Sequence, residues 1–194
     1  MTDPQLPITI VSGLPRSGTS MMMKMLEAGG LPLLTDGQRT ADQDNPKGYY
    51  EFERVKKLKD GDIAWLPEAQ GKAVKVISYL LESLPQGYTY RVLFMRRLIP
   101  EILASQRKML VNRGEDPDKV SDAEMARLFE KHLAQVDAWI ASQPYLERLD
   151  VDYNLVIRDP FPLIAKINRF LGGRLDEDAM AAVIDPGLYR QRKT

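Results

Sequence analysis

The feature that most restricts the fold of this chain is a short apolar strand that runs directly into a glycine turn and then into a helix. The run ITIVS, residues 8–12, has the composition of a buried strand and ends at Gly13. Residues 17–28 follow as a helix rich in Met and Leu, which Gly29 and Gly30 are expected to end. Such a strand–turn–helix unit is typical of a parallel α/β sheet.

The rest of the sequence repeats the alternation of strands and helices. Further strands are predicted over 31–35, 73–78, 90–95 and 149–153. Further helices are predicted from Pro100, from the capping box of Ser121 and Glu124, and over 161–173. We therefore expect one domain over residues 1–194. It should be a three-layer α/β sandwich with a central, mostly parallel sheet of about five strands and helices on both faces, as in P-loop NTPases.

Composition and charge exclude several kinds of site and partner. The chain has no cysteine and one histidine, which excludes disulfides, thiolate metal sites, cysteine nucleophiles and multi-histidine metal clusters. Lys+Arg and Asp+Glu number 27 each, so no overall charge directs the protein to nucleic acid or to a membrane surface. The N-terminal apolar run is too short for a signal sequence or a membrane span, so we expect a cytoplasmic protein.

The turn after the first strand has the glycine spacing of a phosphate-binding loop. Gly13 and Gly18 lie five residues apart, and Ser20 stands where the G-x-x-x-x-G-K-[ST] motif has Ser or Thr. Thr19 replaces the lysine that reaches the terminal phosphates in ATP-using loops, and Arg16 is the cation instead. The alternative is a plain strand-to-helix turn that binds nothing. Free N–H groups at a helix start, together with these polar residues, favour an anion site without a metal-bound triphosphate.

The stretch LPRSGTS resembles the 5′-phosphosulfate-binding loop of sulfotransferases, which take 3′-phosphoadenylyl sulfate (PAPS) as donor and use no metal. The arginine at position 16 is similar to the protein-tyrosine and many bacterial members, whereas cytosolic members usually have lysine there. The resemblance implies that the nucleotide donor is PAPS, with 3′-phosphoadenosine 5′-phosphate (PAP) as product and a small-molecule or peptide acceptor. It implies donor contacts from Pro15, Arg16, Ser17, Gly18, Thr19 and Ser20, with Arg16 also stabilising the leaving group.

A second part of the resemblance concerns the 3′-phosphate of the donor. In sulfotransferases an arginine at a strand end and a serine eight residues later share this phosphate, and Arg97 and Ser105 have that spacing. Tyr153 matches the tyrosine that lies near the adenine, although a half-buried strand tyrosine is the alternative. Arg190, in the basic C-terminal tail, is a further candidate for the 3′-phosphate, and a solvated terminus is the alternative there.

Sulfuryl transfer also needs a base that takes the proton of the acceptor. Ser78 stands about where cytosolic sulfotransferases have a histidine, and the single histidine, His132, is interpreted as a structural or rim residue of an amphipathic helix. The resemblance to protein-tyrosine and heparan sulfotransferases then implies a carboxylate base. Asp36 and Glu51 are the candidates, each with a solvated loop carboxylate as the alternative. Lys75 is a candidate for a second transition-state cation.

Three functions stay open at this point. The first is a PAPS-dependent sulfotransferase, and the second is a P-loop kinase or related nucleotide phosphotransferase, against which the missing lysine argues. The third is a non-catalytic protein that binds PAPS or PAP. The acceptor is not named by the sequence, although Tyr49, Tyr50 and Phe52 are expected either to line an acceptor pocket or to pack under a loop.

Overall fold

The computed structural model of the protein describes residues 5–38 and 48–185. Within these ranges it contains one parallel sheet of four strands in the order β2-β1-β3-β4. The strands are β1 (Ile8–Gly13), β2 (Ala73–Lys75), β3 (Tyr90–Arg96) and β4 (Leu146–Asp152). The α/β class and the parallel pairing predicted from the sequence are confirmed.

Helices make up most of the remaining described residues. The α-helices there are α1 (Thr19–Ala28), α2 (Leu66–Ala69), α3 (Ile99–Asn112), α4 (Asp122–Ala141), α5 (Tyr153–Arg158), α6 (Pro160–Leu171) and α7 (Glu177–Ala182). Two 3-10 helices span Glu53–Asp60 and Ser78–Ser83. Among the helices of residues 5–38 and 48–185, none has the length and apolar character needed to cross a bilayer.

Alternate residues of each strand pack on opposite faces of the sheet. On one face, Val92 and Phe94 belong to a buried cluster that includes residues of α4. On the other face, Leu93 and Met95 belong to a cluster that includes residues of α1, α6 and α7. Because helices cover both faces, the three-layer arrangement predicted from the sequence is confirmed.

The predicted helix ends are confirmed where their capping residues are described. Ser121 Oγ accepts a hydrogen bond from the backbone N–H of Glu124 at 3.2 Å, and this cap begins α4. The helix α1 ends at the predicted glycine pair, with Gly29 as its C-cap. The helix α6 ends at Gly172, whose φ of 111° lies in the left-handed region that glycine adopts readily.

Two of the predicted strands are shorter in the structure. The segment 31–35 forms only an isolated bridge, in which Leu33 lies opposite Ala73, so the described sheet has four strands rather than about five. Pro32 has no N–H to donate, which limits regular pairing there. The strand predicted over 73–78 ends at Lys75, because the chain turns into the 3-10 helix that begins at Ser78.

The last strand and the tyrosine after it also differ from the prediction. The strand β4 begins at Leu146 and ends at Asp152, so Tyr153 is the first residue of α5 rather than a strand residue. The carboxylate of Asp152 accepts a hydrogen bond from the N–H of Leu155 at 3.0 Å. This N-cap begins the helix one residue earlier than a strand ending at residue 153 would allow.

Candidate anion-binding site

The candidate loop lies where the connections from β1 and β3 diverge. These strands are neighbours in the sheet, with Gly13 opposite Met95. The chain leaves β1 into α1, on one face of the sheet, and leaves β3 into α3, which packs against α4 over the other face. In parallel α/β sheets, ligands bind outside the carboxyl ends of the strands at such a switch point. The turn over 14–18 and the beginning of α3 therefore border the same crevice.

The backbone of this turn takes conformations that few residue types adopt. Arg16 has a φ of 70° and Gly18 a φ of 101°, both in the left-handed region. A Cβ at Gly18 would lie 2.4 Å from Cδ2 of Tyr153, and a Cβ at Gly13 would lie 2.6 Å from Ser17 Oγ, so both glycines are needed for space. A left-handed arginine is costly and persists only when its surroundings hold it.

Arg16 is held by both residues of the pair predicted to bind the 3′-phosphate. Its Nε donates a hydrogen bond to Ser105 Oγ at 2.9 Å, and its backbone carbonyl accepts one from Arg97 at 3.1 Å. From the resemblance, Arg97 and Ser105 are expected to act together on one phosphate. The structure brings all three residues to one place, and it joins them through Arg16.

Buried hydroxyl groups accompany the backbone N–H groups of the loop. The side chains of Ser12 and Ser17 are buried, and their Oγ atoms have no hydrogen-bond partner among the described residues. An unpaired buried hydroxyl is costly, and a bound anion oxygen would offset that cost. The helix α1 begins at Thr19, so its positive N-terminal end faces the loop, and the exposed Pro15 lies at the outer side of the turn.

A second polar cluster lies beside the first turn of α1. The Nζ atom of Lys75 donates hydrogen bonds to Ser20 Oγ at 3.2 Å and to the carbonyl of Tyr49 at 2.6 Å. The same Nζ lies 3.6 Å from a carboxylate oxygen of Glu51, and the Lys75 side chain is only 8% exposed. The structure thus brings together the predicted cation Lys75, the predicted base Glu51 and the predicted loop residue Ser20.

Asp36, the other candidate base, has a different environment. Its two carboxylate oxygens accept hydrogen bonds from the backbone N–H groups of Gln38 at 3.1 Å and of Glu53 at 2.6 Å. Its own N–H donates to the carbonyl of Glu51 at 3.3 Å. Asp36 therefore ties the segment 36–38 to the beginning of the 3-10 helix Glu53–Asp60, and its role as base stays a prediction.

A pocket of about 200 Å³ lies next to Glu51. Its lining residues are Thr35, Gly37, Gly48, Tyr49, Tyr50 and Glu51. Two of the three aromatic residues proposed for an acceptor pocket are thus part of a pocket wall. Phe52 is not, because its ring packs edge-on against Trp65 with centroids 5.7 Å apart.

Two residues of this region, Glu101 and Asn154, were not among the candidates predicted from the sequence. Glu101 is 3% exposed and accepts hydrogen bonds from Nε of Arg97 at 3.0 Å and from Nδ2 of Asn154 at 3.0 Å. The guanidinium of Arg97 also lies over the ring of Tyr153, 4.3 Å from its centroid, and burial raises the pKa of that tyrosine. Glu101 lies four residues after Arg97, but Arg97 precedes α3, so the helical rule for such spacings does not predict the pair. The predicted role of Tyr153 beside an adenine stays a prediction.

The single histidine, His132, contacts Ser78, which stands about where cytosolic sulfotransferases have a histidine. Nε2 of His132, on α4, lies 2.9 Å from Ser78 Oγ, and its ring stacks on Tyr79 with centroids 3.7 Å apart. Burial lowers the pKa of His132, Lys59 lowers it further, and Glu82 opposes the shift. These contacts agree with a histidine that has a structural role.

We expect His132 to make the protein less stable as the pH falls below about 6.5, the ordinary histidine pKa. Burial lowers the pKa of His132 in the folded protein, so the unfolded chain binds the proton more readily. Stability is therefore lost as the pH falls from about 6.5 to the pKa of His132 in the folded protein. The effect should be below about 1 kcal/mol because the ring is partly exposed. Urea unfolding at about pH 7.5 and about pH 5.5 measures it. In His132→Gln the pH dependence should be smaller, and an identical dependence in both proteins would contradict the assignment.

One candidate, Arg190, lies outside the described part of the chain. Arg190 belongs to residues 186–194, which the structure does not describe, so its contact with a 3′-phosphate stays a prediction. Over residues 5–38 and 48–185, no group of three or more His, Asp or Glu side chains is placed to hold a metal ion.

Comparison with known proteins adds evidence on the fold. No protein-family model and no curated protein matches the sequence. Among solved structures, the sulfotransferase domain of the Synechococcus PCC 7002 olefin synthase is similar over 99% of this chain and 90% of that one, with a TM-score of 0.58 and 16% identity. A sulfotransferase from Mycobacterium tuberculosis H37Rv is similar over 93% of this chain and 71% of that one, with a TM-score of 0.59 and 16% identity. The sulfotransferase domain from the curacin biosynthetic pathway is similar over 96% of this chain and 90% of that one, with a TM-score of 0.54 and 14% identity. The chain therefore has the fold of these sulfotransferases.

Proposed function

We propose that the protein is a PAPS-dependent sulfotransferase that transfers a sulfuryl group to a hydroxyl or amine of a small-molecule or peptide acceptor. The observation that carries the proposal is the 2.9 Å hydrogen bond between Arg16 Nε and Ser105 Oγ, with Arg97 on the Arg16 carbonyl. These bonds join the loop, which resembles the 5′-phosphosulfate site of sulfotransferases, to the pair Arg97 and Ser105, which resembles the 3′-phosphate site. The sulfotransferase fold supports the same reading.

The residues present fit such a donor. Arg16, the N–H groups at the start of α1 and the buried hydroxyl of Ser17 are donors for a 5′-phosphosulfate, and a planar guanidinium suits its paired oxygens. Arg97 and Ser105 are the donors proposed for the 3′-phosphate. Bound PAPS supplies an activated sulfuryl group, and Arg16 would stabilise charge on the bridging oxygen of the leaving phosphate. Thr19 supplies no cation for a terminal phosphoryl group, which agrees with a donor that needs no metal.

Glu51 is the better of the two candidate bases. Its carboxylate lies beside Lys75 and borders the pocket that contains Tyr49 and Tyr50, so an acceptor held in that pocket would lie next to this carboxylate. Lys75 also donates to Ser20, which connects this pair to the loop. We propose that Glu51 takes the acceptor proton and that Lys75 orients its carboxylate. Asp36 instead accepts two backbone N–H bonds that tie the segment 36–38 to the 3-10 helix, and it is not among the residues that line this pocket.

A single domain over residues 1–194 that works in the cytoplasm is part of the same proposal. The match to a sulfotransferase domain over 99% of this chain supports the first point. The second point stays a prediction from the sequence.

A thermal-shift comparison of nucleotides tests the proposal. We expect PAP at about 100 times its dissociation constant to stabilise the protein by about 2.7 kcal/mol, and ATP with magnesium to have no comparable effect. Transfer of labelled sulfate from PAPS to a panel of phenols, alcohols and amines would then identify the acceptor class. Stabilisation by ATP with magnesium, with no response to PAP, would instead identify a nucleotide phosphotransferase. PAP binding without transfer to any acceptor would favour a binding protein.

A further inference from the structure

Glu101 is a buried carboxylate that the proposed reaction does not use. It lies in the first turn of α3 and is 3% exposed. Its oxygens accept hydrogen bonds from Nε of Arg97 at 3.0 Å and from Nδ2 of Asn154 at 3.0 and 3.2 Å. A buried carboxylate is tolerated only when it is paired and hydrogen-bonded, and these two partners provide that pairing. They also connect the beginning of α3 to the beginning of α5.

The contacts of Glu101 continue to the anion-binding loop. Arg97 donates from Nε to Glu101 and from a terminal nitrogen to the carbonyl of Arg16, at 3.1 Å. The guanidinium can make both bonds only in one orientation, because it is planar and its donors are fixed relative to one another. Glu101 thus sets the orientation in which Arg97 reaches the loop.

The bond to the Arg16 carbonyl falls where the loop backbone is strained. Arg16 has a φ of 70°, in the left-handed region that non-glycine residues seldom adopt. The peptide unit that follows it is fixed at both ends. Its carbonyl accepts from Arg97, and its N–H, that of Ser17, donates to the carbonyl of Leu14 at 3.1 Å. Because this peptide precedes the N–H groups of Gly18 and Thr19, its orientation decides where those donors point.

The helix α5 holds the same loop at a second point. The ring of Tyr153 is packed so closely against Gly18 that a Cβ there would lie 2.4 Å from it, and the Arg97 guanidinium covers the ring. The next residue, Asn154, donates to Glu101. The first turn of α5 therefore contacts both the loop and the carboxylate that orients Arg97.

We propose that Glu101 and Asn154 are positioning residues for the anion-binding loop, and that they act through Arg97 on the backbone of Arg16. The identity of the anion rests on the proposed function, but the positioning does not. Electrostatics alone predicts the opposite effect of neutralising Glu101, since losing a negative charge beside a phosphate site should tighten anion binding. Positioning predicts weaker binding, because the loop donors lose their fixed direction.

The test compares Glu101→Gln with a matched control, Glu177→Gln. Glu177 also accepts a hydrogen bond from an asparagine, Asn168, at 2.8 Å, but this pair joins α6 to α7 away from the loop. Backbone hydrogen exchange of residues 14–20 without ligand measures the loop itself, and calorimetry measures the dissociation constant of PAP. In Glu101→Gln we expect exchange over 14–20 to be about tenfold faster and the dissociation constant about tenfold higher. In Glu177→Gln we expect changes below about twofold in both.

Each outcome of this test decides the proposal. Unchanged exchange over 14–20, or tighter PAP binding, in folded Glu101→Gln would overturn it. If Glu101→Gln does not fold, Asn154→Leu replaces it, because this change leaves the Arg97–Glu101 pair in place, and we expect about threefold faster exchange over 14–20. Unchanged exchange in folded Asn154→Leu would then overturn the proposal. If the unmodified protein does not bind PAP, the proposed donor is wrong, and the exchange measurement still decides whether Glu101 positions the loop.

Discussion

Replacing Arg16 by alanine is expected to raise the dissociation constant of PAP about 30- to 150-fold. Hydrogen bonds that involve a charged group contribute about 2–3 kcal/mol when one partner is removed, which corresponds to this range. The guanidinium is already oriented by its bond to Ser105, so little of its interaction energy is lost in ordering the side chain. Alanine at φ 70° is about as strained as arginine, so the loop backbone should change little.

Two further variants make the Arg16 prediction specific. Arg16→Lys keeps the charge but loses the planar fork, and we expect about a tenfold loss of PAP affinity. Arg54 serves as the control because it pairs with Asp62 at an exposed site on a 3-10 helix, and Arg54→Ala should change PAP affinity less than twofold. Calorimetry at fixed ionic strength gives all three values. A loss below threefold in Arg16→Ala would mean that the loop is not the nucleotide site.

The strand, turn and helix that form the candidate loop were predictable because their signals are local in the sequence. A strand, two glycines and a helix start within about a dozen residues determine the turn, whatever the rest of the chain does. The hydrogen bonds that Arg16 makes with Ser105 and Arg97 were not predictable in the same way. Arg16 and Ser105 lie 89 residues apart in the sequence. The sequence shows only that each lies in a segment that comes after a predicted strand. Which donor meets which acceptor depends on the register of β1 against β3, and that register is a property of the folded sheet.

The strands were predicted less accurately than the helices for a related reason. Helix ends carry caps such as Ser121 and Gly172, whose hydrogen bonds or φ values are local. A short apolar run such as 31–35 predicts only that its side chains are buried. An isolated bridge can bury them as well as a regular strand can. The contacts of Glu101 were not predictable from the sequence, because its partner Asn154 lies 53 residues away. A single acidic residue in a first helical turn is ordinary.

The sequence left two carboxylates as candidate bases, and their surroundings differ in the structure. Both are candidates because of their position along the chain. Asp36 lies at the end of the predicted strand 31–35, and Glu51 lies in a predicted turn. Asp36 accepts one backbone N–H bond at each carboxylate oxygen, whereas Glu51 lies beside the nearly buried ammonium group of Lys75 and borders a pocket. The sequence does not distinguish these environments, because the decisive contacts are made by Glu53, 17 residues after Asp36, and by Lys75, 24 residues after Glu51.

Replacing Glu51 by glutamine is expected to lower the kcat of sulfuryl transfer about 100-fold or more, with the dissociation constant of PAP changed less than threefold. General-base catalysis contributes about 10²–10⁴-fold, and glutamine keeps the size of the side chain while removing its basicity. Lys75 keeps its bonds to Ser20 and to the Tyr49 carbonyl, so the loop should stay in place. Transfer of labelled sulfate to the acceptor found in the panel gives kcat, and calorimetry gives the PAP constant.

Asp36→Asn is the matched variant for this experiment. Its amide oxygen still accepts one backbone N–H bond, so we expect a lower melting temperature and a kcat within about fivefold of the unmodified protein. A loss of kcat that is larger in Asp36→Asn than in Glu51→Gln, with both proteins folded, would assign the base to Asp36 instead. Full activity in both variants would require a proton acceptor that is neither carboxylate, and the role of Glu51 beside Lys75 would then be structural.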